Sequence, residues 1–106
     1  MRDIMKILQQ AQEMQGRMAK IQEELQAMTL TGTAGGGMVT VDVNGQGIVK
    51  RVKIDSSVVN PSDTEMLEDL VTVATADAQR KAQERQQEQM SALTGGMNLP
   101  FKLPFG

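Results

Sequence analysis

Ile4, Ile7, Ala11, Met14, Met18, Ile21, Leu25 and Met28 follow one another at alternating steps of three and four. Polar residues fill almost every position between them. This is an a/d heptad seam held for four heptads, and a stripe so narrow needs a second surface lying along it. The spacing predicts a helix over residues 3–28, on the order of 40 Å long at ~1.5 Å per residue. That is as long as a whole compact domain of this size. The seam therefore predicts an elongated molecule, with a partner for the stripe either inside the chain or in a second copy.

Composition supports that shape. A chain of 106 residues makes one domain, yet its only aromatics are Phe101 and Phe105. The core must be small, and oligomerisation is the usual way to extend a small core. Nine methionines suit a long, adaptable interface. There is no Cys and no His. That removes the common zinc and iron–sulfur ligands, the Cys–His and Ser–His nucleophiles, and disulfides. No apolar run approaches ~18 residues and no signal-peptide core is visible, so the chain reads as soluble and cytoplasmic, with no membrane partner.

After the first helix, Gly32 and Gly35-Gly36-Gly37 break the helical pattern. Residues 29–34, 38–44 and 48–55 read as three strands. Val39, Val41 and Val43 alternate onto one face, and Asn44-Gly45 followed by Gln46-Gly47 marks a hairpin. On the third strand Val52 and Ile54 fall on one face, Arg51 and Lys53 on the other. Ser62-Asp-Thr-Glu65 reads as a capping box opening a second helix over residues 62–93. Leu67, Leu70, Val71, Ala74, Ala78 and Ala82 form its apolar stripe. Alanines at steps of four let another backbone approach closely. Residues 1–94 thus form one α+β domain in the order α-β-β-β-α, a three-stranded antiparallel sheet flanked by two long helices. Residues 95–106, with two prolines, read as a flexible tail.

This order resembles the YbaB/EbfC family of bacterial nucleoid-associated proteins. Ala11-Gln12-Glu13-Met14-Gln15, Gly36-Gly37-Met38-Val39-Thr40-Val41 and Val52-Lys53-Ile54-Asp55 carry the likeness. So do the run from Glu65 to Val71, Asp77-Ala78, and Leu99-Pro100-Phe101. The resemblance implies a homodimer with paired sheets and protruding helices. It implies binding to double-stranded DNA in the nucleoid with modest sequence preference, and no catalysis, cofactor or small-molecule substrate.

The family supplies no defined set of DNA-contacting residues, so charge and position select the candidates. Net charge is −2, which excludes a diffuse polycation but not a converging basic surface. Arg17 and Lys20 on the first helix, with Arg80, Lys81 and Arg85 on the second, form two short basic patches that a dimer doubles. Lys50, Arg51 and Lys53 are the second choice. The plainer readings are solvated ion-paired faces for the helices, and protection of a strand edge for the sheet. Met14, Met18, Ile21, Leu25, Val39, Val41, Val43, Leu67 and Leu70 are the expected core and dimer residues. Asp42, Asp55 and the acids of the second helix do not follow a calcium-loop spacing, so no metal is expected. A coiled-coil adaptor or holdase is the alternative function.

Overall fold

In a computed structural model the chain forms helix α1 (Arg2–Ala27), strands β1 (Leu30–Ala34), β2 (Val39–Val43) and β3 (Val49–Ile54), a single 3-10 turn (Ser56–Val58), and helix α2 (Thr64–Gly95). The structure describes residues 2–95. The predicted tail over 95–106 lies outside them, Gly95 excepted. The three strands form one antiparallel sheet in the order β1-β2-β3. The α-β-β-β-α expectation holds. The molecule measures 72 × 25 × 16 Å with a radius of gyration of 19.8 Å. A compact chain of this length would have about 13 Å, so the elongation read from the heptad seam is present.

The core lies between α2 and one face of the sheet. Val39, Val41 and Val43 are fully buried, as are Ala74, Ala78 and Ala82. Leu67, Leu70 and Val71 are half-buried against them. The two surfaces approach closely because both sides lack bulk. At Gly32 of β1, an added Cβ would overlap the Ala74 carbonyl oxygen and the Ala78 backbone nitrogen. The alanine steps on α2 therefore ride directly over a strand glycine.

α1 is held at one end only. Leu25 is buried, Met14, Met18 and Ile21 are half-buried, and residues 3–13 are exposed. Ile4 and Ile7 remain 62% and 63% exposed, so the first half of the seam lies open in the single chain. The anchoring point is the β2–β3 turn. The Gly45 N–H donates to the Leu25 carbonyl at 2.7 Å, and a Cβ at Gly45 would lie 2.8 Å from that same oxygen. Gln46 donates to the Gln22 side chain at 3.0 Å. From the other side, Gln86 of α2 donates to the Gly45 carbonyl at 2.8 Å and Gln79 to that of Gly47 at 3.1 Å. One turn thus fastens both helices. Asn44 shapes it by accepting from the N–H groups of Gln46 and Ile48. The left-handed backbone falls on Gly47, at φ 86°, rather than on Gly45.

The predicted opening of α2 needs correction. Asn60 holds residues 60–63 in a turn: its side chain accepts the Ser62 N–H and its carbonyl accepts that of Asp63. The helix therefore starts at Thr64 rather than Ser62, and Asp63 caps it by accepting the Met66 N–H at 3.3 Å. At its other end α2 continues through Gly95. The remaining boundaries fall within one residue of those read from the sequence.

Candidate nucleic-acid interface

The strand register sorts the sheet into two chemically different faces. Val39 stands opposite Ile54, Val41 opposite Val52, and Val43 opposite Val49. This is the face that α2 covers, but the helix crosses only β1 and β2. All of β3 is exposed, with Val49, Val52 and Ile54 at 45%, 44% and 39%. The other face carries two polar rows. Thr31, Asp42 and Arg51 form one; Thr33, Thr40 and Lys53 form the next. Thr31 donates to Asp42 at 2.8 Å. Among the described residues, neither Arg51 nor Lys53 reaches a carboxylate within ion-pair distance. A register shift between Asp42 and Val43 sets Lys50 out of this alternation, and its ammonium donates to the Thr29 hydroxyl at 2.8 Å, just beyond α1.

The two edges of the sheet also differ. At β1, α2 closes the free edge: Asp77 accepts the Thr33 N–H at 3.0 Å, and Lys81 donates to the Thr31 carbonyl at 2.8 Å. At β3 the outer edge has no neighbouring strand among the described residues. An open edge beside an uncovered apolar face is a surface that asks for another chain.

The basic residues of α2 are engaged with acids of the same helix. Arg80 pairs with Asp77 at 3.0 Å and Glu84 at 2.7 Å, Lys81 with Asp77 at 3.4 Å, and Arg85 with Glu88 at 3.4 Å. The Thr33 N–H, and after it the Arg80 guanidinium, hold the Asp77 carboxyl below its ordinary range. Asp77 and then Glu84 raise the pKa of Arg80 further. This stretch is a balanced row of ion pairs rather than a positive field. On α1, Arg17 and Lys20 are exposed and have no ion pair among the described residues. The candidate bases therefore fall into two kinds: paired ones on α2, and unpaired ones on α1 and β3.

Sequence reasoning missed Asp77 as a positioning residue. Its partner lies 44 positions away, and no local spacing reveals that. Among the described residues, no cluster of acids could hold a metal ion, and no helix is long and apolar enough to cross a membrane.

The sequence profile of the YbaB/EbfC DNA-binding family matches residues 1–97. A nucleoid-associated protein of Gemmatimonas aurantiaca is 54% identical over 103 residues, covering 97% of this chain and 99% of that one. A nucleoid-associated protein of Desulfotalea psychrophila is 54% identical over 98 residues, 92% of each. The crystal structure of an uncharacterized Helicobacter pylori protein superposes with a TM-score of 0.76 at 24% identity, over 84% of this chain and 94% of that one. At that identity the likeness speaks for the fold.

Proposed function

Because the chain belongs to the YbaB/EbfC DNA-binding family, we propose that it is a nucleoid-associated protein that binds duplex DNA as a homodimer, chiefly through the phosphate backbone. Its work is binding rather than catalysis. Relatives named nucleoid-associated protein, matched almost end to end, support the location and the ligand.

The observation that carries the DNA-facing surface is the contrast between its two kinds of base. Among the described residues Arg17, Lys20, Lys50, Arg51 and Lys53 form no ion pair, so each can neutralise a phosphate without first breaking one, although Asp42 stands opposite Arg51 and Asp55 lies within the field of Lys53. Arg80, Lys81 and Arg85 can join only by exchanging Asp77, Glu84 or Glu88 for phosphate. Around the basic strand, Thr33 and Thr40 supply hydroxyl donors of the kind that bind phosphate oxygens and carry little sequence information, while the Thr31 hydroxyl is already given to Asp42. With both aromatics beyond residue 100, stacking on unpaired bases has no platform in the domain, which favours duplex over single strands.

Dimerisation is supported by the open β3 edge, by uncovered Val49, Val52 and Ile54, and by the exposed first half of the α1 seam. Two copies present every base twice, which offsets a net charge of −2 per chain. Titrating unrelated duplexes at two salt concentrations tests the reading. Affinity should fall steeply with salt and differ little between sequences. Salt-independent binding, or none, would refute it.

A further inference from the structure

Asn44-Gly45 carries a chemistry of its own besides shaping the β2–β3 turn. Asparagine followed by glycine is the dipeptide most prone to deamidation. With no side chain on the second residue, its backbone nitrogen reaches the asparagine Cγ unhindered. The new N–C bond expels ammonia and closes a five-membered succinimide. Water then opens that ring at either carbonyl, giving aspartate or isoaspartate. The step consumes only water and needs no oxidant or cofactor.

In this fold both reacting groups are held. The nucleophile is the Gly45 nitrogen, which must lose its proton to attack, yet that N–H is donated to the Leu25 carbonyl at 2.7 Å. The electrophile is the carboxamide of Asn44, a residue only 6% exposed. Its Oδ1 accepts the N–H groups of Gln46 at 2.9 Å and Ile48 at 3.1 Å, which fixes the side chain across the turn. Glycine stands at 45 because α1 comes so near: a Cβ there would lie 2.8 Å from both the Leu25 carbonyl oxygen and its Cδ2. The approach that demands the reactive dipeptide is thus the approach that shields it.

The two holds differ in kind. The Asn44 contacts lie within the turn. The Gly45 contact depends on α1, which docks through Leu25 and leaves residues 3–13 exposed. Opening such an end costs less than unfolding the whole domain. We propose that Asn44 is a site of spontaneous deamidation kept closed by the docked end of α1, and that isoaspartate formed there keeps α1 from docking again. Isoaspartate runs the main chain through the side-chain carbon and so adds a methylene between residues 44 and 45. Just beyond it lie the Gly45 N–H bound to Leu25, the Gly45 carbonyl bound to Gln86 and the Gly47 carbonyl bound to Gln79. A lengthened turn loses the register that meets both helices together.

The test incubates full-length protein in mildly alkaline buffer. Mass spectrometry reads the tryptic peptide Ile21–Lys50, in which Asn44 is the sole asparagine, and an isoaspartyl methyltransferase assay identifies the isomer. Folded wild type should react at least about tenfold more slowly than the same protein in urea, because only the opened fraction reacts. Equal rates overturn the proposal. Leu25→Ala, with its helices retained by circular dichroism, should recover most of that difference. Gly32→Ala is the control, since it strikes the packing of α2 on the sheet and not the turn. If it speeds the reaction as much as Leu25→Ala at a similar drop in melting temperature, the route is global unfolding and α1 is not the guard. Should Leu25→Ala fail to fold, Gln22→Ala decides, because it removes only the exposed contact with Gln46: a faster reaction supports the guard and an unchanged rate overturns it. The isoaspartate form, separated by ion exchange, should show faster hydrogen exchange at the Gly45 amide and over the last turns of α1. Wild-type exchange there would show that α1 docks again, against the second half of the proposal.

Discussion

Asp77 on α2 accepts the backbone N–H of Thr33 on β1 at 3.0 Å, and so closes a strand edge that would otherwise offer itself to another chain. Lys81, one turn on, does the same for the Thr31 carbonyl while pairing with Asp77. The consequence reaches beyond β1. With one edge closed by side chains and β3 left bare, the sheet can extend in one direction only, which suits a closed pair rather than an open array. Asp77→Ala should lower the melting temperature and speed hydrogen exchange at the Thr33 amide. Asp77→Asn keeps an acceptor for that amide but loses the charge facing Arg80 and Lys81, and should fall between the alanine variant and wild type. An alanine variant with an unchanged Thr33 exchange rate would show that the hydrogen bond holds nothing.

The same carboxylate carries a pH dependence of definite sign. Its pKa is depressed in the folded protein, first by the Thr33 N–H and then by Arg80. Its stabilisation is therefore complete above the ordinary aspartate value of 3.8 and is lost as pH falls below that value, through the folded one. Asp55 acts in the same direction, because the Ser57 N–H and hydroxyl lower its pKa. Acid melts should show wild type losing stability in this range. Asp77→Asn should show a smaller loss over the same interval.

Two glycines should respond to alanine with opposite signs. At Gly32 the new methyl would drive into the α2 backbone at Ala74 and Ala78. Neither backbone can yield, so Gly32→Ala should cost at least the ~1–3 kcal/mol typical of overpacking. At Gly16, in the exposed middle of α1, an added Cβ meets nothing within 4 Å. Gly16→Ala should stabilise the helix by about 0.5–1 kcal/mol. Thermal denaturation of both variants reads the difference in sign.

If β3 provides the dimer surface, wild type should sediment at twice the 11.5 kDa chain mass at micromolar concentration. Val52→Asp should dissociate it, because the carboxylate would be carried into an apolar interface unpaired. The fold should survive in the monomer, since Val52 is 44% exposed there and α2 does not cover it. A variant that stays dimeric moves the interface elsewhere, with the exposed Ile4 and Ile7 of α1 as the next surface to substitute.

Local patterns are legible in the sequence and distant pairings are not. Period-two alternation at Val39, Val41 and Val43 marks a buried strand face, and that face is fully buried. Alanines at steps of four mark a close approach, but nothing in the sequence says that Gly32 is what they approach. The opening of α2 is ambiguous from sequence because Ser62 and Asp63 are both good caps. Asn60 makes the choice, since its side chain and carbonyl engage the two backbone N–H groups in a turn. The heptad seam specifies a helix without specifying what buries it. One end packs on a hairpin turn through Leu25, Met14, Met18 and Ile21 are half-buried, and the first half, with Ile4 and Ile7, stays exposed. Among the candidate bases, the flanking Glu84 and Glu88 hint at ion pairing. Asp77, which binds both Arg80 and Lys81, looks in the sequence like the end of an acidic stretch and no more.

That ion pairing decides which substitutions should matter most for DNA. An arginine already held between two carboxylates, as Arg80 is by Asp77 and Glu84, gains little from a phosphate, because it must exchange one anion for another. Among the described residues Arg51 and Lys53 form no ion pair, and they stand on the open sheet face, Arg51 in a row with Asp42 and Thr31 and Lys53 in a row with Thr40 and Thr33. Neutralising them together as Arg51→Gln and Lys53→Gln should weaken binding alike for unrelated duplexes. It should also lower the slope of log affinity against log salt by roughly 0.9 for each phosphate that is no longer neutralised, and in a dimer each substitution acts twice. The melting temperature should change little, because both side chains are exposed and unpaired. Arg80→Gln with Arg85→Gln should have the smaller effect on affinity. Lys81 is best left intact in that comparison, since it also holds the β1 edge and its removal would mix stability with binding. Fluorescence anisotropy of a labelled duplex across a salt series gives affinity and slope together. If the α2 pair flattens the slope and the β3 pair does not, the phosphates lie along the helices and the sheet face serves another purpose.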